Sequence, residues 1–258
     1  RLYWQIGKLQ AQAGEIDAAL TNYERAIANL DRIRGELLQG STLVFTERVL
    51  PVYQGYIELL LEKAEVPGQE SKWLGQVQET LEGLNAAEIL DYFDDNCVLP
   101  RDVMSLSNTA AGTAVLYPIT LGTRPVLLVR TANGIFRFDL AVDNDELKSM
   151  ALAFREAITN PKTSLSAYQA QASGLFTALI GPAQSLIERS SITTLVTVPS
   201  AYLRLVPMAA LHDGEDFLVN RYHLATTLGL QLTENASIDN VNSSAFIGGV
   251  SDAVQGFV

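Results

Sequence analysis

The 258-residue chain holds one cysteine, two histidines and no surplus of basic residues. The lone thiol, Cys97, excludes an internal disulfide, and with two histidines it falls short of the three or four convergent ligands of an ordinary zinc site. No metal or other cofactor is expected. Eighteen basic residues against 29 acidic ones give a net charge of -11, which repels a phosphate backbone and offers no cationic stripe for counterion release. Nucleic acid is therefore not an expected partner. No apolar run approaches the roughly 20 residues of a membrane-spanning helix. No glycine-rich turn leads into Lys-Ser or Lys-Thr, so a phosphate-binding loop is missing. The opening Arg-Leu-Tyr-Trp has neither Met nor a signal-peptide pattern, and a start inside a longer, cytoplasmic protein is expected.

What is present is apolar sequence, 48% of the chain, enough for a substantial core. Over residues 3–30, Tyr3, Ile6, Gly7, Gly14, Ala19, Tyr23 and Ala26 follow a spacing that resembles the tetratricopeptide (TPR) repeat of about 34 residues. Small Gly7 and Ala19 let two helices approach, Gly14 can end the first in the left-handed conformation, Asp17 can cap the second, and Tyr23 fills the gap between them. A single repeat leaves apolar faces uncovered, so neighbouring repeats are expected before it. Apolar residues at three- and four-residue spacing continue from Glu36 to Ala64, with Pro51 predicting a kink or boundary near Leu50, and again from Trp73 to Phe93. The expected division is a TPR repeat over 1–34, a TPR-like helical region over 35–96, and a linker over 97–112.

The period then changes. Ala114 to Ile119, Val126 to Thr131 and Ile135 to Leu140 read as strands, the last two joined by the hairpin signal Ala132-Asn133-Gly134. Asp143 to Thr159, capped by Asp143, and Ala167 to Glu188, broken at Gly181-Pro182, read as helices. Thr194 to Val198 and Ala245 to Val250 are apolar on consecutive positions and read as buried strands. A mixed α+β or α/β domain behind a helical array follows.

Between those buried strands lies Leu203 to Gly214, LRLVPMAALHDG. Together with the strand Leu195 to Val198, the Tyr-x-x-Ala strand Tyr222 to Thr226, and Phe246 to Ser251 ending in Gly-x-Ser, it resembles the CHAT domain, a caspase-like cysteine peptidase domain found behind tetratricopeptide repeats. The resemblance implies a non-catalytic caspase-like half over 113–240 and the start of the catalytic half over 241–258. It also implies that the catalytic His and Cys lie downstream of the Gly-x-Ser strand, so none is expected here. The whole protein would be a cysteine endopeptidase acting on a peptide, with the helices recruiting a protein partner. A scaffold without hydrolysis is the alternative.

Each residue with chemical potential has a plainer reading beside that one. Cys97 stands next to Asp94 and Asp95, which oppose thiolate formation. His212 and Asp213 are sequence neighbours whose side chains diverge on any regular element, so His212 is expected to introduce the turn at Asp213-Gly214. His223, within a strand, is expected to donate a hydrogen bond. Ser251 sits in a near match to a nucleophile elbow, yet no acid and histidine follow it in the required order. Asp252 is the candidate substrate-binding residue, as a carboxylate for an Arg or Lys side chain at the carboxyl edge of the sheet.

Overall fold

The computed structural model describes residues 2–37, 45–93, 109–121 and 124–233. Helices α1 (Leu2–Gln12) and α2 (Ile16–Leu37) form a hairpin closed by Gly14 at φ 78°. Five residues of π-helix, Phe45–Val49, lead into α3 (Leu50–Lys63), and α4 (Glu70–Phe93) follows. Pro51 falls in the first turn of α3, where a missing N–H breaks no helical bond, so the expected boundary is found there. The expectation for Asp17 is corrected: it lies inside the first turn of α2, and its carboxylate takes Lys63 of α3 at 2.7 Å.

Strands β1 (Thr113–Ile119), β2 (Val126–Thr131) and β3 (Gly134–Asp139) form an antiparallel meander. Helix α5 (Asn144–Thr159) is capped by Asp143, whose side chain accepts the Glu146 N–H; α6 (Leu165–Leu179) is capped in the same way by Ser164. After a 3₁₀ turn at Gly181–Ala183 come α7 (Gln184–Arg189), β4 (Thr194–Thr197), α8 (Leu218–Arg221) and β5 (His223–Thr226). The sheet order is β3-β2-β1-β4-β5, with β1, β4 and β5 parallel. The predicted strands are found within a residue or two at each end. The segment Ala245 to Val250 and most of the predicted linker lie outside the described residues.

Both faces of the central strand β1 are buried, which makes the molecule three layers. Ala114, Leu116, Leu127 and Val129 pack with α5 and α6. Val115, Tyr117, Leu128 and Ile135 share a second core with Ile57, Leu60, Leu74 and Val77 of α3 and α4. The sheet thus covers the apolar faces that the helices cannot cover among themselves.

Within the helical layer, Tyr23 decides the spacing. A Cβ added at Gly7 would stand 2.8 Å from its Cδ2, and one added at Gly55 would stand 2.5 Å from its hydroxyl oxygen. Three helices therefore approach around one ring, and overpacking at this point costs about 1–3 kcal/mol. Gly55→Ala is expected to lower stability in urea unfolding by an amount in that range, less any gain in helix propensity. The loss should be smaller in a Tyr23→Phe background, where the crowded oxygen is gone.

Candidate functional site

In parallel α/β sheets, ligands bind outside the carboxyl ends of the strands, which here are the loops after β4 and β5. Helix α4 supplies the groups that hold both loops. Its apolar stripe includes Leu74, Val77 and Leu81, and Gln78 and Glu82 repeat at the four-residue interval on the same buried side, each 0% exposed. Arg130 of β2 donates to Gln78 Oε1 from Nε at 2.9 Å and Nη2 at 2.7 Å. Gln78 Nε2 donates to the Tyr117 hydroxyl at 3.0 Å, and that hydroxyl donates to Glu82 Oε1 at 2.7 Å. Every donor in this chain points from the guanidinium toward the carboxylate, so each bond polarises the next. Burial, and then the neighbouring Glu82 charge, hold the Tyr117 phenol well above its ordinary range.

Glu82 ends the relay by taking the backbone N–H groups of Leu230 and Gln231, each at 3.1 Å, on its two oxygens. The carboxylate therefore fixes the 3₁₀ turn Leu230–Leu232 that follows β5. Gly229 is required beside it, since a Cβ there would lie 2.7 Å from Glu82 Oε2. One turn and a half further along α4, Glu88 takes Arg204 of the other loop in a two-pronged pair at 2.7 and 2.6 Å. Ser200 joins that loop to β1 by donating to the Pro118 carbonyl at 3.0 Å.

The segment Leu203 to Gly214 is spent on structure. Leu203, Val206, Met208 and Leu211 are buried against α5 and α6. Tyr168 stacks between Phe154 and Phe217 and donates to the Ala210 carbonyl at 2.8 Å. His212, 8% exposed, accepts the Gly214 N–H on Nδ1 at 3.0 Å, and Gly214 sits at φ 105°. This is the turn that the sequence predicts. Asp213 points elsewhere and accepts the N–H groups of Glu215 and Asp216 at 2.9 Å each while pairing with Arg221. Burial opposes its charge, yet those N–H groups and the guanidinium outweigh burial and hold its carboxyl below the usual range.

The sequence reading did not foresee Ser173, whose Oγ lies 3.3 Å from His212 Nδ1. That lone pair is already directed at Gly214, so His212 is not placed to take a proton from Ser173. His223 requires a correction: its ring is exposed on β5, the last strand of the described sheet, and hydrogen-bonds no described residue; the residue's backbone N–H pairs instead with the Thr193 carbonyl at 2.8 Å. Cys97, Ser251 and Asp252 lie outside the described residues. Among the described residues, no cluster of His, Cys, Asp and Glu is arranged to hold a metal ion, and no helix is long and apolar enough to cross a membrane.

Residues 169–256 match the family model of the CHAT domain. That segment is thereby identified as a CHAT domain, which suggests a relation to caspase-like peptidases. The match begins inside α6, so the meander β1–β3 and α5 stand before it. No curated protein matches the chain.

Removing the Glu82 carboxylate leaves the Tyr117 hydroxyl and two backbone N–H groups without this acceptor, at about 1–3 kcal/mol for each donor that is buried. Glu82→Ala is expected to cost about 3 kcal/mol or more in chemical denaturation, and hydrogen exchange should quicken at Leu230 and Gln231. Glu82→Gln, which keeps one oxygen, should cost less. Asp213 predicts a pH dependence. Its folded pKa is depressed, so its contribution is complete above the unfolded value of about 3.9 and is lost as pH falls through the folded one. The stability difference between the wild type and Asp213→Asn should be level near neutral pH and shrink below about pH 4.

Proposed function

We propose that this chain is the non-catalytic, supporting portion of a TPR-CHAT cysteine endopeptidase. The helices recruit a protein partner, and the α/β layers seat a His–Cys segment that the described residues do not include. The observation that carries this reading is the use of the family's LRLVPMAALHDG segment. Its apolar residues are buried, His212 and Asp213 each hold a turn, and among the described residues no nucleophile lies beside a competent base. The helix pair α1–α2, with Tyr23 packed between Gly7 and Gly55, supports a TPR-like assignment. Asp252 is proposed as a carboxylate of the pocket for an Arg or Lys side chain of the substrate.

Fluorogenic peptides ending in Arg, Lys, Asp or norleucine test the reading. The chain alone is expected to cleave none. A longer product of its gene, carrying a His-Gly and a later Ser-Ala-Cys segment, should cleave, lose activity when that Cys becomes Ala, and lose its preference for Arg over norleucine in Asp252→Ala. Turnover by the chain alone that vanishes in Cys97→Ala would sink the proposal. A scaffold without hydrolysis is the second reading, favoured by the same absence of a base–nucleophile pair among the described residues. It predicts no turnover in either form.

A further inference from the structure

Among the described residues the sheet ends at β3, and the ladder to β2 determines which of its backbone groups face outward. Leu140 N–H bonds the Pro125 carbonyl at 3.1 Å, so Phe138 and Phe136 are the hydrogen-bonded partners of Leu127 and Val129. Ile135, Arg137 and Asp139 consequently turn their N–H and C=O groups away from the sheet, and no described residue hydrogen-bonds them. An edge of this kind is a template for one more strand.

A groove of about 670 Å³ runs along 135–139, walled by Glu65, Glu70 and Leu74 on the helical side and by Leu186 and Arg189 of α7 on the other. Past Glu65 it continues into a second hollow of about 430 Å³ beside Glu58 and Glu62. Glu58 and Glu62 fall at i and i+4 on one face of α3, and Glu65 stands in the turn that follows the helix. Carboxylates stay in excess along the two hollows, with Glu58, Glu62, Glu65, Glu70 and Asp139 against Arg124, Arg137 and Arg189, and Arg137 is already matched by Asp139 at 2.7 Å and Glu65 at 3.3 Å. The groove therefore joins unpaired main-chain groups to an acidic wall.

We propose that β3 docks an extended, basic peptide segment of a partner protein. The segment adds a strand on Ile135, Arg137 and Asp139; its alternate Lys or Arg side chains reach Glu62, Glu65 and Glu70, and the intervening apolar ones cover Phe136, Phe138 and Leu186. A second copy of this chain fits less well, because a twofold contact would bring each acidic wall against its mate. The site is at the opposite edge of the sheet from β5 and does not rest on the peptidase reading.

The test uses acetyl-Lys-Val-Lys-Val-Lys-amide and the described chain in full. Binding by calorimetry, with slowed hydrogen exchange at Ile135, Arg137 and Asp139, is expected. Peptides N-methylated at the Lys or at the Val positions keep their charge and remove strand donors; one of the two should bind at least tenfold more weakly. Glu62→Lys combined with Glu65→Lys, both at exposed positions, should weaken binding tenfold or more and admit acetyl-Glu-Val-Glu-Val-Glu-amide. The proposal is overturned if the basic peptide does not bind, or if neither methylated form loses affinity, which would mean charge attraction alone. It is equally overturned if the Ile135, Arg137 and Asp139 amides are already protected without peptide, either at all concentrations, from a segment of the same chain, or only at high ones, from a second copy.

Discussion

A buried carboxylate with no cation in direct contact among the described residues governs how the layers of this protein meet. Glu82 belongs to the helical layer, yet all three of its recorded donors belong to the sheet or to the loop leaving it. A charge taken out of water without such donors would be prohibitively unfavourable, so the helix can sit on the sheet only where Tyr117, Leu230 and Gln231 converge. Apolar contact between α4 and β1 would tolerate a slide of a turn or a tilt; the Arg130–Gln78–Tyr117–Glu82 chain does not. Burial supplies most of the attraction between these layers, and the polar relay supplies the register.

The same constraint explains why the helices do not behave as an array apart from the sheet. A repeat stack normally buries each unit against the next, and its last unit needs a cap. Here α3 and α4 place that apolar face on β1, β2 and β3. Tyr23, lodged between Gly7 and Gly55, then ties α1 and α2 to α3, so the hairpin is anchored to the sheet through one intermediate helix.

Much of this was legible in the residues. Consecutive apolar positions in Thr194 to Val198, the Ala132-Asn133-Gly134 turn and the Asp143 cap each follow from local rules, and each element lies where those rules put it. The segment Leu203 to Gly214 was legible as packing because its apolar spacing and its Asp-Gly turn leave little else for it to do. Less visible were the features that depend on distant partners. Asp17 looks like a cap until Lys63 is brought within 2.7 Å of it by the α2–α3 contact. Gln78 and Glu82 are not singled out by the apolar spacing from Trp73 to Phe93. The signal available was their four-residue interval, which keeps them in line with Leu74 and so on the face that meets the sheet. Only the tertiary fold shows that a face can be apolar and still carry its most important bonds through polar groups.

Helix α4 also accounts for the geometry at the carboxyl ends of the parallel strands. Glu88 grips the loop after β4 through Arg204, and Glu82 grips the loop after β5 through two backbone N–H groups. The two attachments differ in kind. Arg204 and Glu88 are partly exposed, at 29% and 39%, so water and salt weaken their pair. Glu82 is sealed, and its hydrogen bonds keep their strength in the low dielectric around it. A rigid attachment after β5 and a softer one after β4 follow from burial alone. The chain therefore leaves β5 along a course set by the helical layer rather than by the sheet, and the CHAT match continues through that exit to residue 256.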